Sequence, residues 1–356
     1  IVKPLLHPQF GLNGEAFPSA EALKERANYL IENGKDDEVA IGEFILEWLD
    51  KNDFITVKTS GSTGIPKNIK LQKKLVFNSA EATVKYFDLK ENTKALLCLS
   101  SEYIAGKMML VRAMTAGWDL HTTAPEKNPL ENIDDAFDFS AMVPYQVFHS
   151  LKDLHKVKKL IVGGGAVPLE LEQQLQKVNT RVFATYGMTE TISHVAVRPI
   201  TGTEKSAIFS ALPKINFSLN ENNCLQIHAP EISEESIVTN DVVELISPTS
   251  FKFLGRADNV INTGGVKVHP EVVEEKLSLH IKEPFFIASE KDDALGERVI
   301  LIIESEEYFQ LKDFSRAFKS LSIYEKPKHI YSATHFLYTE TGKIKRAEVL
   351  KKLSIN

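Results

Sequence analysis

The stretch Thr59-Ser60-Gly61-Ser62-Thr63-Gly64-Ile65-Pro66-Lys67 interrupts a run of apolar residues with glycines and hydroxyls. The β-branched segment FITVKT, residues 54–59, leads directly into it, and a segment this rich in glycine and serine cannot continue a strand. Glycines allow several backbone N–H groups to point into one concavity, hydroxyls add donors, and Lys67 adds a positive charge. The pattern therefore predicts a strand that ends in a polyphosphate-binding loop. Its candidate binding residues are Thr59, Ser60, Gly61, Ser62, Thr63, Gly64 and Lys67.

Two other interpretations of this loop are weaker. A solvated Ser/Gly linker needs neither the lysine nor the strand that precedes it. A P-loop nucleotide site needs the pattern GxxxxGK[ST], which is absent from the 356 residues. The sequence therefore disfavours a kinase-like P-loop protein.

Outward from the loop, segments with helical spacing alternate with strand-like segments. Residues 19–50 have apolar side chains at helical spacing, interrupted by the turn-forming Asn33-Gly34, and predict two helices. After residue 73 a helix-like stretch is followed by short apolar runs with helices between them, namely ALLCLS, DLHTTA, AMVPY, KLIVGG, RVFATYG and HVAV. Strands that alternate with helices indicate a layered α/β domain.

The pattern changes twice towards the C-terminus. Residues 206–254 contain short strands separated by turns (CLQIHA, SIVTND, VVELIS, FKFLG), which predict an antiparallel or barrel-like β piece. After a polar turn, a compact pattern begins with helix EVVEEKLSLHI, strands PFFIAS and RVILIIES, helix FSRAFKSL and strand KHIYSA. We therefore predict a large α/β domain over residues 1–255 and a small α+β domain over residues 256–356.

Composition excludes several classes of protein. The formal net charge of −6 gives no basic surface for a nucleic-acid backbone, and no stretch approaches the roughly 20 apolar residues of a membrane-spanning helix. The N-terminal residues show no signal-like cleavage site, which favours a cytoplasmic location. Cys98 and Cys224 lie far apart within apolar runs, and we predict buried thiols rather than a disulfide or a catalytic pair. A homo-oligomer is compatible with this pattern.

Three further motifs carry chemistry that suits a nucleotide. GGGA, residues 163–166, follows the apolar run KLIV at a point where backbone can approach a planar ligand closely. YGMTE, residues 186–190, offers an aromatic ring, a hydroxyl and a carboxylate, which is the hard oxygen ligand that Mg²⁺ takes. Asp241 follows a strand-like run, and a carboxylate can accept both hydroxyl protons of a ribose. Taken singly, each motif is also compatible with an ordinary turn.

Together these motifs resemble, in order, those of the adenylate-forming superfamily, which includes acyl-CoA synthetases, firefly luciferases and peptide-synthetase adenylation domains. The resemblance implies that residues 59–67 bind the ATP phosphates, that Thr189 contacts phosphate and that Glu190 lies near Mg²⁺. It also implies that Asp241 accepts the ribose hydroxyls, although Asn240 stands where glycine is usual. The other nucleotide- or CoA-binding residues implied are Gly163, Gly164, Gly165, Ala166, Tyr186, Gly187, Arg256, Gly264 and Gly265.

The same resemblance assigns roles to three segments near the C-terminus. FLGRADN, residues 253–259, resembles the hinge between the two domains, with Asp258 at the pivot. NTGGVKV, residues 262–268, resembles the loop beside the pantetheine arm of coenzyme A. Lys343, in TGKIKR, resembles the lysine that enters the active site during adenylation, where an ammonium stabilises charge on the α-phosphate. The implied catalytic residues are Lys343, Thr189 and Glu190.

The acid substrate is suggested by SSEYIAGK, residues 100–107, which resembles a segment that shapes the acyl pocket. With AMVPYQVF and the compact length, this segment makes the chain most similar to the o-succinylbenzoate-CoA ligases of menaquinone biosynthesis. Such an acid keeps one unreacted carboxylate, so a cationic or hydrogen-bonding side chain is expected beside it. The candidates are Lys107, Arg112 and His194, and Tyr103, which stands where histidine is usual, is expected to shape the acyl pocket.

Three alternatives stay open at this point. One is a CoA ligase for another small carboxylate. Another is a non-catalytic nucleotide-binding module, because the phosphate loop comes much earlier than is usual and implies a reduced N-terminal subdomain over the first 58 residues. The third is a peptide-synthetase adenylation domain, since FDFS at residues 137–140 is similar to its amine-binding segment, although it follows Gly117 rather than preceding the corresponding turn.

Overall fold

A computed structural model describes residues 5–58, 68–338 and 344–355. The predicted phosphate loop at residues 59–67 and Lys343 lie outside the described residues. The helices are α1 Ala20–Asn33, α2 Asp36–Leu49, α3 Lys73–Tyr86, α4 Ile104–Ala116, α5 Pro144–His149, α6 Leu169–Leu175, α7 Pro270–Leu277 and α8 Arg346–Lys352. The strands are β1 Gly11–Leu12, β2 Glu15–Ala16, β3 Phe54–Lys58, β4 Asn68–Gln72, β5 Lys94–Leu97, β6 Asp119–Thr122, β7 Phe137–Met142, β8 Val157–Val162, β9 Arg181–Gly187, β10 His194–Pro199, β11 Ile208–Ala211, β12 Asn216–Leu219, β13 Cys224–His228, β14 Ile237–Ser247, β15 Ser250–Arg256, β16 Ile261–Thr263, β17 Val266–Val268, β18 Phe285–Asp292, β19 Gly296–Glu304 and β20 His329–Ala333.

A large mixed sheet organises most of the described chain. Its strands follow the order β12-β13-β14-β15-β11-β10-β9-β8-β7-β5-β6-β1-β2. The central strands β6, β5, β7, β8 and β9 are parallel and mostly buried, as expected for a sheet that is covered on both faces. From β10 through β15 the pairing is antiparallel. The antiparallel piece predicted for residues 206–254 therefore continues the parallel sheet through β10 and β11.

The N-terminal helices α1 and α2 pack against this core as a hairpin. Ser19 Oγ accepts a hydrogen bond from the Ala22 N–H at 3.2 Å and caps α1. On α2, Phe44 and Trp48 are buried, and Trp48 Nε1 donates to the Leu5 carbonyl at 2.9 Å. The two helices predicted for residues 19–50 are confirmed.

Helix α4 is buried on all sides. Each residue from Gly106 to Met114 is buried, including Lys107 and Arg112. A helix that is buried all round belongs to the interior of its domain rather than to an amphipathic surface layer. Two cationic side chains therefore enter the core on this helix.

The chain after residue 260 has its own sheet and its own hydrophobic clusters. The strand order is β17-β16-β19-β18, and β20 pairs in parallel with β19. Alternate residues of β18 face opposite sides: Ile287 packs with Val273 of α7, and Phe286 packs with Val349 of α8. Both faces of this small sheet are thus covered.

Two predictions of local structure were wrong. SIVTND and VVELIS form the single strand β14 instead of two strands. FSRAFKSL, residues 314–321, begins at the end of the 3₁₀ helix Leu311–Phe314 and contains the 3₁₀ helix Ala317–Ser320 instead of an α-helix. Neighbouring phenylalanine rings pack there with centroids 5.3 and 6.2 Å apart, and such tertiary packing overrides the local helical pattern.

The two cysteines are free and buried, as predicted. Burial raises the pKa of the Cys98 thiol to about 12 and raises the pKa of Cys224 above its ordinary value. Neither thiol is therefore a candidate nucleophile. Within the described ranges, no helix has the length and apolarity needed to cross a bilayer.

Candidate active site

The carboxyl ends of four neighbouring parallel strands bring the predicted motifs to one edge of the large sheet. Strand β5 leads into residues 98–103, β7 into α5, β8 into GGGA, and β9 into YGMTE. The crevice at the carboxyl ends of strands is the usual ligand site of an α/β sheet. GGGA and YGMTE, predicted separately from sequence, follow adjacent strands. Strands β3 and β4 flank residues 59–67 and pair with each other. Lys58 of β3 lies opposite Asn68 of β4.

Gly163 directly follows the last residue of β8 and lies beside Thr185 of β9. Its N–H donates to the Met142 carbonyl at 3.1 Å. A Cβ at this position would lie 2.6 Å from Thr185 Oγ1, which itself donates to the Val162 carbonyl at 3.1 Å. No side chain fits there unless Thr185 moves, so glycine brings the GGGA backbone against β9.

Replacing Gly163 with alanine is expected to lower the melting temperature by about 4 °C, because overpacking costs about 1–3 kcal/mol. The double variant Gly163→Ala/Thr185→Ala should recover most of this loss, because it removes the clashing hydroxyl. Thermal unfolding of both variants and of Thr185→Ala alone checks the prediction. A Gly163→Ala protein as stable as the wild type would contradict the close approach.

Tyr186 and Asp241 meet although 55 residues separate them. The Tyr186 hydroxyl donates to Asp241 Oδ2 at 2.5 Å, and Arg256 Nη1 lies 3.4 Å from Asp241 Oδ1. Asp241 is only 6% exposed, and its N–H donates to Thr239 Oγ1 at 3.1 Å. The structure thus joins three predicted nucleotide-binding residues in one hydrogen-bonded group.

The aromatic surroundings of Tyr186 fix its ring. Phe251 and Phe209 contact it edge-on, with centroids 5.0 and 5.9 Å away. Burial, then the charge of Asp241 and the hydrogen bond to it, raise the pKa of the Tyr186 hydroxyl well above its ordinary value. The phenol therefore stays a neutral donor to Asp241 Oδ2, and the second oxygen of Asp241 faces Arg256.

Arg256 also connects this group to the predicted hinge. Its Nη2 lies 3.3 Å from Asp258 Oδ2, and Asp258 lies in the 3₁₀ helix Ala257–Asn259 with an exposed carboxylate. Asn259 Nδ2 in turn donates to Glu271 Oε1 of α7 at 2.5 Å. Polar contacts therefore connect Asp241 through Arg256 to Asp258, and the next residue in the chain, Asn259, is hydrogen-bonded to the first turn of α7.

Thr189 and Glu190 lie in a 3₁₀ turn, Thr189–Thr191, directly after β9. The Glu190 side chain is exposed, and it makes no ion pair with any residue in the described ranges. Those ranges also contain no cluster of three His, Cys, Asp or Glu side chains that could hold a metal. A single accessible carboxylate fits Mg²⁺ that takes its remaining ligands from phosphates and water, and does not fit an all-protein metal cage.

Gly264 and Gly265 form the two-residue turn between β16 and β17. Their φ values are 58° and 80°, the left-handed pair that a tight hairpin turn of this kind requires. Both glycines are exposed, and the Gly264 N–H donates to the Leu295 carbonyl at 2.8 Å. The backbone atoms of this turn are therefore exposed to solvent, because neither glycine has a side chain to cover them.

The four candidate acid-binding side chains lie in different surroundings. Tyr103 precedes α4 and is exposed. Lys107 Nζ lies 3.4 Å from Glu47 Oε2 and over the Phe44 ring, and burial lowers its pKa. His194 is buried, with Nε2 3.3 Å from Thr83 Oγ1, and burial followed by the charge of Arg112 holds its pKa well below the ordinary value.

Arg112 differs from Lys107 in having no carboxylate partner among the residues described. Its Nη2 donates to Ser193 Oγ at 2.7 Å, its Nε has no partner there, and burial lowers its pKa to about 9.

Sequence reasoning missed Ser193, Thr191 and Thr185. The one available signal was that all three carry hydroxyls within a few residues of YGMTE.

A family model described as "AMP-binding enzyme" matches residues 12–215, which is more than half of the chain. A solved structure, an acyl-CoA synthetase (AMP-forming)/AMP-acid ligase II-like protein from Dyadobacter fermentans, is 36% identical over 93% of this chain and 98% of that one, with a TM-score of 0.63. The chain belongs to the AMP-binding enzyme family. The predicted resemblance to adenylate-forming enzymes is confirmed.

Curated members of the family that resemble this chain include the 2-succinylbenzoate–CoA ligase of Escherichia coli (strain K12), which is 27% identical over 263 residues. That match covers 69% of this chain and 57% of the relative, and for the Salmonella typhimurium ligase the shares are 73% and 60%. The chain thus matches less than two thirds of the length of these relatives. The o-succinylbenzoate-CoA synthetase of Bacillus subtilis, solved with ATP and magnesium, has the same fold, with a TM-score of 0.69 at 17% identity over 83% of this chain and 69% of that one.

Proposed function

We propose that this member of the AMP-binding family is an ATP-dependent acid-CoA ligase that works through an acyl-adenylate. The observation that carries the proposal is the hydrogen-bonded group of Tyr186, Asp241 and Arg256 beside GGGA. It combines an aromatic face, a carboxylate that can accept two ribose hydroxyls, and a cation. A nucleoside monophosphate needs this combination.

In the proposed first half-reaction, residues 59–67 bind the triphosphate and GGGA lines the adenine. Asp241 accepts the ribose hydroxyls, while Thr189 donates its hydroxyl to a phosphate oxygen. Mg²⁺ near Glu190 would neutralise phosphate charge. Lys343 orients the carboxylate against the α-phosphate and stabilises the negative charge that builds there, which yields acyl-AMP and pyrophosphate.

In the proposed second half-reaction, the thiol of coenzyme A displaces AMP from the acyl group. We assign the large domain to residues 1–255 and the small domain to residues 256–356, with Asp258 as the pivot. Rotation there withdraws Lys343 and brings the Gly264-Gly265 turn to the pantetheine arm. The exposed backbone of that turn supports this role, because it permits close approach.

The proposed acid is o-succinylbenzoate. Support comes from the E. coli and S. typhimurium relatives, which are named as ligases for this acid. Support also comes from a B. subtilis enzyme of the same fold, which was solved with the acyl-adenylate OSB-AMP. The unreacted carboxylate of o-succinylbenzoate needs a hydrogen-bonding or cationic partner, for which Lys107, Arg112 and His194 are the sequence candidates, while Tyr103 is the candidate for shaping the acyl pocket.

A panel of acids tests the proposal. The protein is incubated with ATP, Mg²⁺ and each acid, pyrophosphate release is followed, and thioesters are identified by mass spectrometry after addition of CoA. We expect pyrophosphate and a thioester with o-succinylbenzoate, and little signal with fatty acids or benzoate. Turnover only with other acids would overturn the substrate, and ATP binding without pyrophosphate release from any acid would overturn the activity.

A further inference from the structure

Strands β3 and β4, which lead into and out of residues 59–67, form a two-stranded sheet of their own. A pair of strands this small is marginally stable in water, so its position depends on what it packs against. Ile55 and Val57 are buried in the main core and hold one face of β3. Apolar burial is non-directional, so directed polar contacts are needed to fix the placement of the strands along that core.

Helix α2 supplies directed contacts to this pair of strands. The Thr56 N–H of β3 donates to Glu47 Oε1 at 2.6 Å. Lys73 directly follows β4, and its Nζ lies 2.7 Å from Oδ1 of Asp50, the residue that ends α2. Residues three apart are neighbours on a helix surface, so both carboxylates reach the same side. The helix is itself anchored, because Trp48 between them is buried.

The second oxygen of Glu47 faces helix α4. Lys107 Nζ lies 3.4 Å from Glu47 Oε2, and the lysine side chain is only 11% exposed. Lys107 lies in the first turn of α4, directly after residues 98–103 at the carboxyl edge of the large sheet. Burial lowers the pKa of this ammonium, and the charge of Glu47 opposes that effect. One carboxylate therefore joins the strand that precedes residues 59–67 to the segment predicted to shape the acyl pocket.

The need to satisfy one backbone donor does not explain a glutamate at this position. Thr56 is partly exposed, so water can serve its N–H. Partial burial of the Glu47 carboxylate costs free energy, which its two directed contacts offset. The arrangement is explained if the placement of β3 relative to α4 matters to the site.

We propose that Glu47 is a positioning residue that holds β3 against α4 and thereby places residues 59–67 to receive the β- and γ-phosphates of ATP. This inference rests on the proposed function, in which that loop binds the triphosphate. A carboxylate that contributes to stability alone makes a different prediction. Positioning affects ligands that carry the two outer phosphates, whereas destabilisation affects every nucleotide alike.

Calorimetric titration of Glu47 variants with MgATP and with AMP tests this distinction. Glu47→Ala should weaken ATP binding about tenfold, which is the scale of one lost hydrogen bond to a charged group. AMP binding should change less than about twofold, because AMP lacks the outer phosphates and keeps the proposed contacts to Tyr186 and Asp241. Glu47→Gln should recover part of the ATP affinity, because its amide oxygen can still accept the Thr56 N–H.

Asp153→Ala is the matched control. The Asp153 side chain is 23% exposed and pairs with Lys156, which is 16% exposed, while Glu47 is 27% exposed and its partner Lys107 is 11% exposed. Asp153 lies shortly before β8, at the amino edge of the large sheet. Its replacement therefore removes a similar ion pair far from the motifs. We expect a similar fall in melting temperature for Asp153→Ala and Glu47→Ala, with both nucleotides bound by Asp153→Ala as by the wild type.

Three results would overturn the proposal. One is unchanged ATP affinity in Glu47→Ala. Another is an equal loss of ATP and AMP affinity in that variant, which would mean general destabilisation. The third is a loss of ATP affinity in Asp153→Ala as large as that in Glu47→Ala.

Amide hydrogen exchange, followed by NMR, tests the contact without any nucleotide. The Thr56 amide should exchange at least about tenfold faster in Glu47→Ala than in the wild type, because it loses its acceptor, and at the wild-type rate in Asp153→Ala. Equal exchange in the wild type and Glu47→Ala would contradict the contact between α2 and β3. If the wild type binds no ATP, the proposed function fails, and the exchange of Thr56 still decides whether Glu47 holds β3.

Discussion

Lys343→Ala is expected to slow acyl-adenylate formation by about 10²–10³-fold, while thioester formation from supplied acyl-AMP changes by less than about threefold. Loss of one group aimed at developing charge in a preorganised site typically costs this much. The second half-reaction starts after the α-phosphate has been attacked, so it does not need this ammonium. Pyrophosphate release measures the first step, and CoA addition to synthetic acyl-AMP measures the second.

Lys345→Ala provides the control for this experiment. Lys345 lies two residues away, is partly exposed, and pairs with Glu348 at 3.3 Å. We expect its replacement to leave both half-reactions close to wild type, because a surface pair of this kind contributes little. Equal losses in both half-reactions of Lys343→Ala would contradict a role confined to adenylation.

Asp241→Asn is expected to raise the KM for ATP by about 100-fold with a smaller effect on kcat. The amide lacks the charge that accepts two ribose hydroxyls, and hydrogen bonds to a charged group contribute about 1.5–3 kcal/mol each. The wild type should discriminate strongly between ATP and 2′,3′-dideoxy-ATP. The variant should have similar KM values for the two nucleotides, because the carboxylate that distinguishes them is lost.

Asp138→Asn is the control for that experiment. Asp138 accepts hydrogen bonds from the Lys94 N–H at 3.0 Å and from Lys158 Nζ at 2.7 Å at the amino edge of the sheet. Its replacement also removes a paired carboxylate, but far from the motifs, and the KM for ATP should stay within about twofold. If Asp241→Asn still discriminates against the dideoxy nucleotide, a group other than Asp241 binds the ribose hydroxyls.

The sequence predicted those features that depend on local pattern. Apolar spacing identified α1 and α2, and glycine-rich stretches after apolar runs identified the loop that follows β8. Tyr186 and Asp241 were each named from their own motifs. Their hydrogen bond could not be predicted, because it depends on the order in which β9, β10, β11, β15 and β14 join the sheet. That order is a non-local property of the fold.

Ile192, which lies between YGMTE and β10 and has φ 65°, shows a second limit of local reasoning. Isoleucine favours extended backbone, and the segment that contains it leads into β10, so nothing in the local pattern indicates a positive φ. The Ile192 side chain is buried, and the Thr191 hydroxyl accepts a hydrogen bond from the Met188 N–H at 2.9 Å, so tertiary contacts stabilise a conformation that the local preference disfavours. The two 3₁₀ helices between residues 311 and 320 have the same origin, since aromatic packing prevails there over helical spacing.

The buried state of Cys98 and Cys224 has a practical consequence for enzymology. Chromogenic disulfide reagents such as DTNB react with thiolates that solvent can reach, and both of these sulfur atoms are enclosed and protonated at neutral pH. The native protein should therefore remain colourless with such a reagent. Consumption of free sulfhydryl during a ligation assay could then be read directly as absorbance, without correction for the catalyst itself.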